Sequence, residues 1–288
     1  MTEDAGSIRA VVVSHCNATT IVECLQRLLA ATEVAEVVLI DNGSDDDTVA
    51  RAIPFVEKEA RVTLRVDPEN PGFGTACNSG AMDCTQRWLA FVNPDCMVAP
   101  DTFVHLLAHA RTNPKLGALG CVQIDAQGFE DAAVRRRDPS MRKVLFAGGA
   151  RGALHVASDG NAMQSVDALS GAMLLMPTAV FTQVGGFDAD YRLHAEDLDL
   201  CRRIRDAGFA VCIANDVRVT HLRGVSSRRR PVWVEWQKHR GMWRYFSKFE
   251  AAQTALPMRA VLWLALWAHM ALLFPFLLLR PRKATSRS

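Results

Sequence analysis

AVVVSHCNATTIVECLQRLLAATEVAEVVLIDNGSDDDT, residues 10–48, reads as strand, helix, strand. Residues 10–14 are a short β-branched run of the kind that fills a buried strand. From Thr20 to Ala31, the apolar residues Ile21, Cys24, Leu25, Leu28 and Leu29 recur on one helical side. A second strand, Glu36 to Ile40, stops abruptly at Asp41-Asn42-Gly43-Ser44. Asp45 to Thr48 then stands where a helix running toward Ala60 would be capped.

The same alternation continues outward. A strand from Arg61 to Val66 leads into Pro71-Gly72-Phe73-Gly74, a helix is expected over 75–85, and the strand Trp88 to Val92 stops at Asn93-Pro94-Asp95. From Leu116 to Ser170 the pattern weakens, and residues 125–165 read either as a mobile substrate loop or as a plain connection. It returns as a buried strand at 169–176, the GGFD turn at 185–188, a helix from Glu196 to Ala207 and strands at 211–214 and 217–220. Such alternation predicts an α/β fold, Rossmann-like, with a mostly parallel sheet and helices on both faces. Ligands of such sheets bind at the carboxyl ends of the strands, where Asp41 and Asp95 both fall.

With 288 residues there is room for one large domain and an appendage, expected at 1–225 and 226–288. A net charge of +2 gives no case for nucleic acid as a partner. The eight cysteines show no CxxC pair, so small core residues in a reducing cytosol are expected rather than a disulfide framework. The acidic N-terminus, with its short apolar run, does not read as a signal peptide.

Several strand ends carry chemistry. Asp41 can accept hydrogen bonds from a base or ribose, although Asp-Asn-Gly is also an ordinary turn. Asn70 to Gly80 puts glycines just before a helix N-terminus, where backbone can approach a ligand. Pro94 cannot continue a strand ladder, so Asp95 is projected beyond it, suited to a divalent ion bridging two phosphates or simply to a turn. Glu196 and Asp197 open a helix, either as a general base and its neighbour or as an acid-rich first turn with Asp199/Arg203 pairing. His221, past a strand end, is either a metal ligand or a structural residue.

In this order, DNGSxDDT, NPGFGxAxNxG, NPD, SGA, GGFDxxY, EDLDLCRRIRDAG and a later histidine resemble the family 2 inverting glycosyltransferases of GT-A fold, in particular the bacterial rhamnosyltransferases, over roughly residues 8–225. The resemblance implies a nucleotide-sugar donor, dTDP- or UDP-linked, and a divalent metal, Mg²⁺ or Mn²⁺. It assigns Asp41 to the donor's base or ribose, Asn17 and Asn78 to the nucleotide pocket, and Gly171 to the neighbourhood of sugar and acceptor. Asp95 and His221 become metal ligands and Asp197 the catalytic base, with Glu196 beside it. Asn93 stands where a full DxD motif has its first acid. The other readings are another hexosyl or galactofuranosyl transferase, and a catalytically silent scaffold at the membrane.

In the tail, Trp236, His239, Trp243 and Phe246 share one helical face among basic residues, suited to a membrane surface or to packing on the catalytic domain. Residues 260–279 carry no formal charge, about the length needed to span a bilayer, with arginines at both flanks. A re-entrant or interfacial hairpin bent near Pro275 is expected, ahead of a single span. Membrane-associated C-terminal helices at the cytoplasmic face fit an acceptor glycan carried on a polyprenyl diphosphate.

Overall fold

The computed structural model describes residues 6–140, 154–222 and 231–279. The first half alternates as expected: β1 (Ile8–Ser14), α1 (Ile21–Ala30), β2 (Val34–Asp41), α2 (Thr48–Lys58), β3 (Val62–Val66), α3 (Phe73–Ala81) and β4 (Trp88–Val92). β1 lies parallel between β2 and β4, and β3 extends the outer side of β2. Ala10 and Val12 point into one apolar layer and Val11 and Val13 into the other, which is why the strand reads as unbroken hydrophobic sequence. A Cβ on Gly80 would come within 2.4 Å of Val11 Cγ1, so glycine lets α3 lie directly on β1.

The second half is β5 (Cys96–Met97), α4 (Thr102–Thr112), β6 (Leu116–Ile124), β7 (Met163–Ser165), β8 (Met173–Pro177), α5 (Thr178–Gln183), α6 (Glu196–Asp206) and β9 (Ala210–His221). The nine-stranded sheet runs β3-β2-β1-β4-β8-β6-β9-β5, with β7 on β9. Parallel pairing holds from β3 to β4; β8 then runs antiparallel to both β4 and β6, so the whole sheet is mixed. Helices α1, α2 and α4 cover one face, α3, α5 and α6 the other. The two strands expected at 211–214 and 217–220 are one. Against β6, Cys121 pairs with Ala214 and Val122 with Arg218, leaving residues 215–217 as a bulge that breaks the apolar pattern.

Two further helices follow, α7 (Pro231–Phe249) and α8 (Leu256–Leu279). The hairpin expected near Pro275 does not form: α8 is helical through it. Pro275 lies about one turn from the helix end and forfeits a single backbone bond there. The bend lies instead at 250–255, and α8 folds back on α7. The rings of Trp236 and Trp267 meet at 4.6 Å, tilted by 47°, and Phe246 packs with Leu262 and Leu266. The aromatic face of α7 is therefore covered largely by α8, while the opposite face, with Gly241, Arg244, Tyr245 and Lys248, docks on the catalytic layer. Tyr245 donates to Asp138 (2.9 Å), and Arg244 and Lys248 pair with Asp188 (2.9 and 2.8 Å). The expected boundary at 225/226, residues 223–230, part of the 125–165 segment and the basic flank after Leu279 lie outside the described residues. All eight cysteines are free, and seven are buried.

Candidate active site

The loops leaving β1, β2 and β3 are knitted together at one rim of the sheet. His15 Nδ1 lies 2.9 Å from the Asn42 carbonyl and 3.5 Å from Asn70 Nδ2, and Asp67 N–H donates to the Asp41 carbonyl at 2.8 Å. Asp41 is wholly buried; its carboxylate accepts from Ser14 Oγ (2.9 Å), Ser44 Oγ (2.5 Å) and Ser44 N–H (2.9 Å). With no exposed surface and both carboxylate oxygens engaged, Asp41 braces the loops that leave β1 and β2. Asn17 is also buried, its Oδ1 accepting from His15 N–H (2.9 Å) and its own N–H donating to Thr48 Oγ1 (2.7 Å). The Asn78 side-chain amide makes a reciprocal pair with the backbone of Phe187, both bonds 2.8 Å, and so ties α3 to the GGFD turn.

Asp95 lies just past β4, and His221 ends β9. Because Cys96 pairs with His221 across the β5–β9 ladder, the two side chains meet, with His221 Nε2 3.3 Å from Asp95 Oδ1. Both are about nine-tenths buried, and His221 Nδ1 is buried with no partner. A carboxylate oxygen beside an imidazole nitrogen fits two positions of a divalent ion whose other positions go to diphosphate and water. Among the described residues no group of three or more His, Cys, Asp or Glu could hold a metal. The nearby thiols do not compete. Burial, then the charge of Asp95, pushes Cys24 up to about 12, and burial raises Cys96 well above its usual range, so neither offers a thiolate.

The strand β8 brings the second acid to the same rim. Asn93, two residues before Asp95, donates its N–H to the Ala172 carbonyl (2.8 Å), and the neighbouring Gly171 N–H donates to Asp197 Oδ2 (3.2 Å). Gly171 thus lies against Asp197, next to the residue whose carbonyl Asn93 binds. A Cβ there would meet Asp197 Cβ at 3.5 Å and Phe73 at 3.6 Å. Asp197 Oδ2 also accepts from Arg136 Nη2 at 2.6 Å, while among the described residues Oδ1 takes only the Leu198 N–H (2.8 Å). One carboxylate oxygen is pinned, and the other keeps a free lone pair. Glu196 is buried with Oε2 unpartnered; burial, then the adjacent Asp197, raises its carboxyl to about 8, so it is neutral at pH 7. His194 is neutral as well, lowered to about 4 chiefly by burial.

Sequence reasoning missed Arg136, which lies in the weakly patterned segment and reaches the site through backbone pairing with Ala168. Its only signal was the ARG-rich stretch Arg135-Arg136-Arg137, which looks like solvated surface. Also unforeseen is the backbone before α6. His194 and Ala195 have φ of 67° and 71°, consecutive left-handed residues without glycine. Such residues cost roughly 1–3 kcal/mol each and persist where the surroundings impose them, commonly at functional sites. Here a Cβ on Gly241 of α7 would come within 2.7 Å of the His194 carbonyl, so α7 presses on this turn. The acid pairing expected as the bland alternative is present one turn on. Asp199, fully buried, binds Arg203 (2.5 Å) and Lys248 (2.7 Å).

Residues 10–171 match the model of glycosyl transferase family 2, more than half of the chain. The chain belongs to that family. This glycosyltransferase is 29% identical over 277 residues to the N-acetylglucosaminyl-diphospho-decaprenol L-rhamnosyltransferase of Mycobacterium tuberculosis, covering 85% of this chain and 88% of the relative. It is a rhamnosyltransferase-like member of the family. A shorter match, 36% identical over 103 residues and 35% of this chain, links it to the succinoglycan biosynthesis protein ExoO of Rhizobium meliloti. Among solved structures it resembles the mannosyltransferase PcManGT of Pyrobaculum calidifontis, solved with GDP-Man and Mn²⁺. The TM-score is 0.60 at 19% identity, covering 94% of this chain and 72% of that one. S. aureus TarS 1-349 follows with a TM-score of 0.57 at 14% identity, covering 90% and 70%. These likenesses establish the GT-A fold expected from the sequence.

Proposed function

We propose that this glycosyltransferase moves L-rhamnose from dTDP-rhamnose to a hydroxyl of a polyprenyl-diphosphate-linked glycan, with inversion, at the cytoplasmic face of the membrane. The observation that carries the reading is Asp197 held by Arg136 and Gly171 on the rim that also bears Asp95 and His221. The acceptor class is supported by the mycobacterial relative, whose name specifies a diphospho-decaprenol acceptor. Membrane contact is supported by α8, long and apolar enough to cross a bilayer and only 22% buried over its most apolar window.

In this reading Asp197 Oδ1 takes the proton of the acceptor hydroxyl as that oxygen forms a bond to the anomeric carbon. The bond from that carbon to the diphosphate breaks on the opposite face, and its electron pair leaves with the nucleoside diphosphate. No covalent sugar–enzyme intermediate is involved, so one displacement inverts the centre. Arg136 keeps Oδ2 engaged and the carboxylate oriented. Glu196, neutral, adds no second negative charge beside the base. Asp95 and His221 would hold Mg²⁺ or Mn²⁺, which when bound supplies positive charge to the leaving diphosphate.

The test is a panel of dTDP-, UDP- and GDP-sugars by thermal shift with and without Mn²⁺, followed by transfer assays on a polyprenyl-diphosphate-linked N-acetylglucosamine. Stabilisation by dTDP-rhamnose and transfer to that lipid are expected. Preference for a UDP-hexose or UDP-galactofuranose would replace the donor assignment with another hexosyl or galactofuranosyl transfer.

A further inference from the structure

A cavity of about 940 Å³ lies between α7, α8 and the segment Asp190–Leu193 that leads into the Glu196–Asp197 pair. Four cations line it, and they differ in their bonding. Arg244 is held by Asp188 and Asp190 (2.9 and 2.5 Å), and Lys248 by Asp188 and Asp199 (2.8 and 2.7 Å). Arg192 and Arg240 have no carboxylate partner among the described residues, and both side chains are exposed. Asp190, the acid on the lining, is already neutralised by Arg244. The cavity therefore presents two unspent guanidinium groups, each able to fork onto phosphate oxygens.

Three tryptophans, Trp236, Trp243 and Trp267, also line the cavity. Trp267 belongs to α8, whose outer side leaves Trp263, Leu264, Leu272 and Phe276 between 45% and 71% exposed. An occupant would be anionic at one end and strongly apolar at the other, and it would lie against the helix best suited to lipid. A nucleotide donor matches the charge and its base can stack on tryptophan, but it has no apolar part to lay along α8.

We propose that this cavity takes the diphosphate and first isoprene units of the lipid-linked acceptor, with Arg192 and Arg240 as its phosphate ligands. The assignment rests on the acceptor reading given above. A lipid bound this way runs its tail along α8. Its sugar is directed along the segment from Arg192, only five residues ahead of Asp197. The pressure of α7 on the His194 carbonyl joins the cavity wall to the strained turn that positions the base.

The decisive experiment compares the full-length enzyme with its Arg192→Gln/Arg240→Gln variant on two acceptors, farnesyl-diphosphate-linked N-acetylglucosamine and octyl N-acetylglucosaminide. The native enzyme should favour the diphosphate acceptor in kcat/KM. In the variant that preference should fall about 10- to 100-fold, the worth of charged hydrogen bonds to phosphate. Farnesyl diphosphate alone should raise the melting temperature of the native enzyme and lose that effect in the variant. An unchanged preference would overturn the cavity assignment and leave the lipid acceptor standing. A native enzyme indifferent between the two acceptors would remove the acceptor reading and this inference with it. Two further outcomes also refute it: equal stabilisation by inorganic pyrophosphate, which marks a simple anion site, and a matching rise in donor KM, which assigns the cations to the nucleotide. If the double variant lacks a cooperative melt, Arg240→Lys, which keeps the charge but loses the fork, decides by the same ratio.

Discussion

Arg136 and Asp197 show how much a single contact changes the reading of a residue. The EDLDL stretch alone is an acid-rich helix start; the guanidinium at 2.6 Å and the Gly171 N–H hold one oxygen of Asp197, and the other accepts the Leu198 N–H. Asp197→Asn keeps the shape and removes the proton acceptor of the proposed mechanism. Donor binding should persist while kcat falls ~10²–10⁴-fold, measured by calorimetry and single-turnover transfer. Arg136→Ala should lower kcat more than it raises donor KM, with Arg136→Lys recovering part of the loss. Glu196 makes a pH prediction. Its carboxyl titrates near 4.5 ordinarily and near 8 in the fold, so between those values the native state holds a proton that the unfolded chain has released. Stability from this group therefore falls as pH rises from about 4.5 to 8 and levels beyond. Glu196→Gln abolishes the slope, so its melting temperature relative to the native enzyme should climb from pH 5 to 8 and then stay flat. The acids were legible because each stands at a strand or helix end in the one-dimensional pattern. Arg136 was not, because only β-bridge pairing with residue 168 carries it to them.

At the scale of elements, α6 and α7 act together. Ala195 precedes α6 in a left-handed conformation with no side-chain cap, and α7 supports that turn through Gly241. A larger residue at 241 must push against a backbone carbonyl, which cannot give way as a flexible side chain would. Gly241→Val should cost about 1–3 kcal/mol by overpacking, seen as a lower melting temperature. It should also lower kcat, since the displaced turn carries Asp197. The elements of the first half follow from periodicity because buried parallel strands and one-sided helices leave distinct patterns. The β9 bulge at 215–217 defeats that reading: three residues outside the ladder look like a turn between two strands. The short strands β5 and β7 are too brief for any period, yet β5 is what sets Asp95 against His221.

For the whole molecule, the exposed apolar side of α8 predicts behaviour that the catalytic layer alone would not show. The full-length enzyme should partition to membranes or need detergent, and removal of residues 256–288 should shift it toward the soluble fraction in a flotation assay with liposomes. The truncated protein should also melt lower, because α8 covers Trp236 and Phe246 of α7. From the order of amino acids follow the βαβ alternation, the acids at strand ends and the apolar tail, since each is a local pattern that propensity and periodicity express. Folding in three dimensions decided the mixed strand order, the pairing of Asp95 with His221, the arrival of Arg136 and the packing of α7 between catalytic layer and tail. Those depend on contacts between residues far apart in the chain, and such contacts have no period to be read.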